Sequence, residues 1–125
     1  MPHCTDALVT TGTDRYVVKF KNIDVTGAAA NELVAAVTGK KIRVLSLFIT
    51  ADTTGTFNFQ DDTGTPVTLC GGTRQIKLSS DGTAGGYSFT LPYNPCGWFQ
   101  TSAGQALDIN MASGTFAGCL SYIEV

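Results

Sequence analysis

His3 and Cys4 are adjacent, and His3 is the only histidine in the chain. A thiol beside an imidazole suggests a nucleophilic dyad, but such a pair works only when a third group orients it. A chain terminus supplies no such group, so catalysis is not expected there. A Ser–His–Asp triad would need the same histidine. A zinc site needs further ligands close by, and Cys70, Cys96 and Cys119 are scattered, with no C-x-x-C pair. Asp61 and Asp62 lie in "QDDTGTP". They lack the spacing of a calcium loop, and an Asp in such a turn usually bonds its own backbone. A glycosidase needs two carboxyl groups about 5–9.5 Å apart. Asp52, Asp61, Asp62, Asp81 and Asp108 are the candidates, and most fall in turn sequences. No phosphate-binding or dinucleotide fingerprint is present. The expectation is a chain with no catalytic residue, metal, cofactor or small-molecule substrate.

Two stretches suggest binding instead. "LPYNPCGWF", Leu91 to Phe99, carries two prolines and three aromatic residues. Tyr93 and Trp98 can form a platform for a sugar or a protein; the alternative is that Trp98 and Phe99 plug one end of a β-sandwich. The second stretch is "GKKIRVLSLFITA", Gly39 to Ala51. Lys41 and Arg43 begin one strand face, Leu45, Leu47 and Ile49 continue it, and Phe48 lies on the other. Apolar residues on both faces of an antiparallel strand call for cover from an arm, a loop or another subunit. A β-bulge near Leu45 would instead turn Ile42, Val44, Leu45, Leu47 and Ile49 toward one core.

The elements around these stretches read as strands. "DRYVVKFKN" groups Tyr16, Val18 and Phe20 against Arg15, Lys19 and Lys21. "TFNFQ", "PVTLC", "RQIKLSS", "GYSFTL", "ALDINM" and the closing "TFAGCLSYIEV" also alternate or run apolar, the signature of half-buried strands. "NELVAAV" is read as a strand, with a helical turn allowed around Ala28–Glu32. "DTTG", "DDTGTP", "GGT", "SDGTAGG", "PYNPCG", "SAGQ" and "ASG" supply turn signals between them. About eight short strands at this spacing indicate a sandwich or small barrel. Residues 1–30 read as an arm and first strand, and residues 31–125 as the β-sandwich domain.

The 125 residues suit one domain. Charged residues make up 14% and the net charge is −2. That balance argues against nucleic-acid binding by general charge. No stretch approaches the roughly 18 apolar residues of a membrane helix, and "MPHCTDALVTTG" lacks the pattern of a signal peptide. The cysteines Cys4, Cys70, Cys96 and Cys119 are read as free or buried thiols, with one disulfide as the alternative.

Three segments in order, "LVAAVTGKKIRVLSLFITA", "NPCGWFQTSAGQALDINM" and the terminal "GCLSYIEV", resemble a recurrent module of bacteriophage virion proteins, over about Leu33 to Val125. Gln105 stands where an acidic residue is common in that pattern, and Cys96 interrupts the turn before Gly97. The resemblance implies a jelly-roll-like antiparallel β-sandwich and a structural role. It points to a capsid decoration (cement) protein, a homotrimer on the outer head surface that binds the major capsid protein, made in the host cytoplasm. A tail or fibre module that recognises a host glycan is the alternative. On this reading Leu45, Leu47, Ile49 and Phe48 are subunit-interface candidates, because trimeric relatives favour a shared face. Lys40, Lys41, Arg43, Tyr93 and Trp98 are candidates for capsid or partner contact, and His3, Arg15 and Tyr16 belong to the arm.

Overall fold

In the computed structural model, residues 8–11, 14–62, 67–68, 76–79 and 87–125 are described. His3, Cys4, Cys70, Asp81 and the expected turns at Gly71-Gly72 and Gly85-Gly86 lie outside them. The protein is all-β and antiparallel, and among the described residues there is no helix. The strands are β1 (Leu8–Thr11), β2 (Asp14–Val17), β3 (Lys19–Thr26), β4 (Ala29–Val34), β5 (Ile42–Asp61), β6 (Val67–Thr68), β7 (Ile76–Leu78), β8 (Ser88–Leu91), β9 (Phe99–Gln100) and β10 (Leu107–Glu124). The segment allowed a helical turn is strand β4. Its last three residues in "NELVAAV", Ala35 to Val37, fall after the strand.

The frame is one long antiparallel pair, β5 with β10. The free edge of β10 takes β3 along Thr115–Tyr122 and β4 along Leu107–Met111. The free edge of β5 takes β9, β8, β7 and β6 in turn. β1 and β2 form a separate two-stranded hairpin. Thus β3, inside the N-terminal thirty residues, is an edge strand of the main sheet.

The turn signals "DTTG" and "ASG" do not end strands. Both β5 and β10 run through them, and the pairing slips repeatedly between Met111 and Phe116. Gly55 and Gly114 meet there. A Cβ on Gly114 would lie 2.7 Å from the Gly55 Cα, and Gly114 has φ +100°, a region closed to most L-residues. A straight strand of twenty residues would span roughly 65 Å. Yet the two ends of β5 are tied to neighbouring residues. Thr101 bonds Ile42 through N–H to O and through Oγ1 to N–H, both at 2.9 Å. The next residue, Ser102, donates its N–H to Asp61 Oδ2 at 2.7 Å.

The sheet therefore folds over at the two glycines, and its halves face each other. Phenylalanine rings join them: Phe59 stacks on Phe99 at 5.1 Å, and Phe57 meets Phe116 at 5.0 Å and Phe89 at 6.2 Å. Ile23, Leu33, Ile42, Val44, Leu47, Ile49, Ile109 and Leu120 complete one core between the halves. Burying such side chains is worth about 1.5–3 kcal/mol each, which drives the closure.

Leu45 sits at a bulge. Ser121 pairs with Ser46 and Tyr122 with Val44, so Leu45 is the extra residue. The bulge lets Ile42, Val44, Leu47 and Ile49 share the main core. Leu45 goes to a second, smaller cluster with Val18 and Ile123, flanked by Tyr16 and Val125. The expected face of Tyr16, Val18 and Phe20 exists, but it is the outer face of the sheet. Tyr16 and Val18 cover Leu45, while Phe20 stays 67% exposed.

Candidate interaction surface

The half built from β3, β8, β9, the start of β5 and the end of β10 presents an outer face. Its middle holds Phe20, Asn22 and Asp24 from β3, Ala117, Cys119 and Ser121 from β10, Ser46, Phe48 and Thr50 from β5, and Ser88 and Thr90 from β8, by register. Of these eleven side chains only Asp24, at the β3 edge, is charged. A groove of about 360 Å³ crosses the strands there, walled by Phe20, Phe48, Pro92 and Tyr93 and floored by Ser46 and Ser121. The two serine hydroxyls bond each other, so the floor offers little unsatisfied polarity. Phe48 is 49% exposed and Tyr93 56%. A monomer rarely leaves a contiguous apolar patch without a use for it.

The loop from Pro92 to Trp98 crosses the sheet edge where the bulge interrupts it. Asn94 N–H donates to the Leu45 carbonyl at 2.9 Å, and Trp98 N–H to the Val44 carbonyl at 2.8 Å. The carbonyls left by the bulge are thereby satisfied, as buried backbone groups must be. Trp98 Nε1 donates to the Pro92 carbonyl at 2.7 Å, which fixes the indole although it is 43% exposed. Phe99, next in sequence, turns into the core against Phe59. The plug expected of Trp98 and Phe99 is thus Phe99 alone, and Tyr93 and Trp98 face solvent.

A second hollow of about 220 Å³ lies beside this loop, lined by Arg43, Cys96, Gly97, Trp98, Phe99 and Gln100. A third, of about 300 Å³, is lined by Arg15, Tyr16, Val17, Lys19, Lys40 and Glu124. Lys19 Nζ bonds Glu124 Oε1 at 3.0 Å. That hydrogen bond, then the charge of Glu124, raises the Lys19 pKa. Burial raises the Tyr122 pKa above that of a free phenol.

Several site expectations need correction. Leu45, Leu47 and Ile49 are fully buried within the chain. The core takes two of them and the N-terminal segment covers the third, so they are not free to meet another subunit. Of that set only Phe48 is available. Lys41 is exposed but its backbone pairs with Val125 in both directions. Lys40 joins Arg15 and Tyr16 at the third hollow; Arg43 joins Trp98 at the second; Phe48 joins Tyr93 at the first. Sequence reading missed Phe20 and Gln100. The grouping of Phe20 with Tyr16 and Val18 is correct, but alternation does not say that this face is the outer one, and Gln100 gave no signal.

The carboxylates are apart in role. Asp61 is buried and caps Ser102. Asp52 and Asp62 are exposed. Asp108 is half-buried, and its pKa is raised by burial first and then by Asp62, Glu32 and Asp61. Among the described residues no three His, Cys, Asp or Glu side chains converge on a point that would hold a metal ion. Cys96 and Cys119 are free thiols. Comparison with protein-family models, with curated proteins and with solved structures finds no match to this chain.

Proposed function

We propose that this chain is a non-enzymatic structural protein of a virion, a decoration protein that sits on the outer head surface and clamps the major capsid protein as a homotrimer. The observation that carries the reading is the groove on the outer face, lined by uncharged residues with Phe20, Phe48 and Tyr93 exposed around it. Exposed aromatic side chains gathered around one groove are the residue type enriched where protein surfaces meet. The three sequence segments that resemble virion proteins give it a setting. The trimer contact moves from Leu45, Leu47 and Ile49 to this face. A ligand that binds only the assembled shell stabilises it, and three weak contacts on one rigid trimer act together.

A second reading, a tail or fibre module that recognises a host glycan, is favoured by the fixed, exposed indole of Trp98 beside Arg43. Two measurements separate them. Sedimentation equilibrium at micromolar concentration is expected to give three 13.1-kDa chains per particle. A monomer would refute the trimer. Purified protein mixed with undecorated heads and with host cells is expected to co-sediment saturably with heads. Binding to cells alone would refute the decoration role and leave the second reading.

A further inference from the structure

The hollow lined by Arg43, Trp98 and Gln100 sets a guanidinium beside a half-exposed indole. Arg43 is held along its length. Its Cδ lies 2.6 Å from where a Cβ on Gly97 would be, so only glycine lets the stem lie there. Its Nε donates to Gln100 Oε1 at 2.9 Å. Among the described residues the guanidinium has no carboxylate partner, since Lys19–Glu124 is the ion pair found there. Its two Nη groups remain for a ligand, as does the amide nitrogen of Gln100. A guanidinium pinned through Nε is pre-organised for two parallel bonds to a carboxylate. Beside it the Trp98 ring is fixed by Nε1 donating to the Pro92 carbonyl, on a backbone held by its own N–H donating to the Val44 carbonyl. A fixed, half-exposed indole offers a flat apolar surface with little ordering cost.

We propose that this hollow binds a uronic acid residue of a glycan. The carboxylate is held by Arg43 and Gln100, and the C–H face of the pyranose lies on Trp98. The size agrees: pockets for drug-sized ligands run about 300–1,000 Å³, and about 220 Å³ takes one ring. A peptide carboxylate would satisfy Arg43 but would bring no flat ring to the indole. The inference gives the glycan-binding reading its ligand class, and it stands or falls independently of head binding because it is tested on the isolated chain.

Trp98 is the only tryptophan, so its fluorescence reports the site directly. The full chain is titrated with glucuronate and galacturonate oligosaccharides, with the matching neutral glucose and galactose oligosaccharides, and with a short peptide ending in a free carboxylate. The expected result is a saturable change with the uronates, in the millimolar range or tighter, that weakens as salt rises. The neutral sugars should bind at least tenfold more weakly. Arg43→Gln and Arg43→Lys should each lose at least tenfold for uronates, with thermal unfolding near that of the parent; the lysine keeps the charge and loses the fork. Equal response to neutral and acidic sugars, no response to uronates, or a response to the peptide alone would each overturn the proposal.

Discussion

Substituting Gly55 by alanine tests the fold-over of the β5–β10 pair, because two physical effects predict opposite signs. Gly55 is buried and does not have a positive φ. At such a position Gly→Ala stabilises by about 0.4–1 kcal/mol, through the unfolded chain. Here the new Cβ would run into the Ser113 carbonyl oxygen and lie 2.6 Å from the Gly114 Cα. Both obstacles are backbone of the partner strand, so no rotamer change relieves them. Overpacking of this kind costs about 1–3 kcal/mol, occasionally more. Backbone obstacles put the steric cost toward the upper end of that range, so it exceeds the entropic gain and the net expectation is destabilisation of roughly 1–2.5 kcal/mol. With a urea slope of about 1–3 kcal/mol/M, the midpoint falls by something near 1 M. Unfolding is followed by Trp98 fluorescence and by far-ultraviolet dichroism. Gly27→Ala serves as control, since Gly27 has φ +83° but nothing within 4 Å of a Cβ; it should lose only the local strain of about 1–2 kcal/mol. A Gly55→Ala midpoint equal to or above that of the parent would refute the close crossing of β5 and β10.

Leu45→Ala should cost about 2–5 kcal/mol, as for a buried leucine, and the loss should be the same at every protein concentration; a loss that grows on dilution would place Leu45 at a subunit contact. Thr101→Val removes the acceptor of the buried Ile42 N–H and should cost about 1–3 kcal/mol in urea unfolding; an unchanged midpoint would show that the tie between the ends of β5 is not made. Asp108 has a folded pKa raised above its ordinary 3.8, so its favourable contribution is fully present below the unfolded value and is lost as pH rises through the folded one. Asp108→Asn should therefore raise the melting temperature at pH 7 and lose that advantage below about pH 3.8; an advantage that persists in acid would contradict this.

The strand pattern was readable because side chains alternate wherever one face meets a core, and β3, β7, β8 and both ends of β5 and β10 follow that rule. What failed were the two turn signals. "DTTG" and "ASG" contain the residues a reversal needs, but Thr and Gly serve equally at a bend within a long strand. The choice depends on the partner: each bend lies opposite the other across the β5–β10 pair, and a single segment carries no record of that. The face of Phe20 was readable and its direction was not, since period two distinguishes two faces without saying which is covered. Arg43 and Gln100 are brought together by two paired residues of β9. A strand that short has no periodicity to detect.

One extra residue in β5 explains why the exposed aromatics and the Arg43 guanidinium share a face. Without a bulge, alternation would carry Leu45, Leu47 and Ile49 on along the face of Arg43, and the main core would lose Leu47 and Ile49. With the bulge, those two return to the core and only Leu45 remains outside. A single leucine is small enough for the chain to cover, and Val18 and Tyr16 do so. The bulge also leaves the Val44 and Leu45 carbonyls between β9 and β8 without a ladder partner, and the loop from Pro92 to Trp98 meets them. That loop carries Tyr93 toward Phe48 on one side and Trp98 toward Arg43 on the other. The two hollows are therefore joined to one backbone irregularity. Removing Leu45 by deletion should restore regular pairing there and release the loop, so that Trp98 fluorescence shifts to that of a solvent-exposed indole. An unshifted spectrum in a folded deletion variant would show that the loop is held by something other than the bulge.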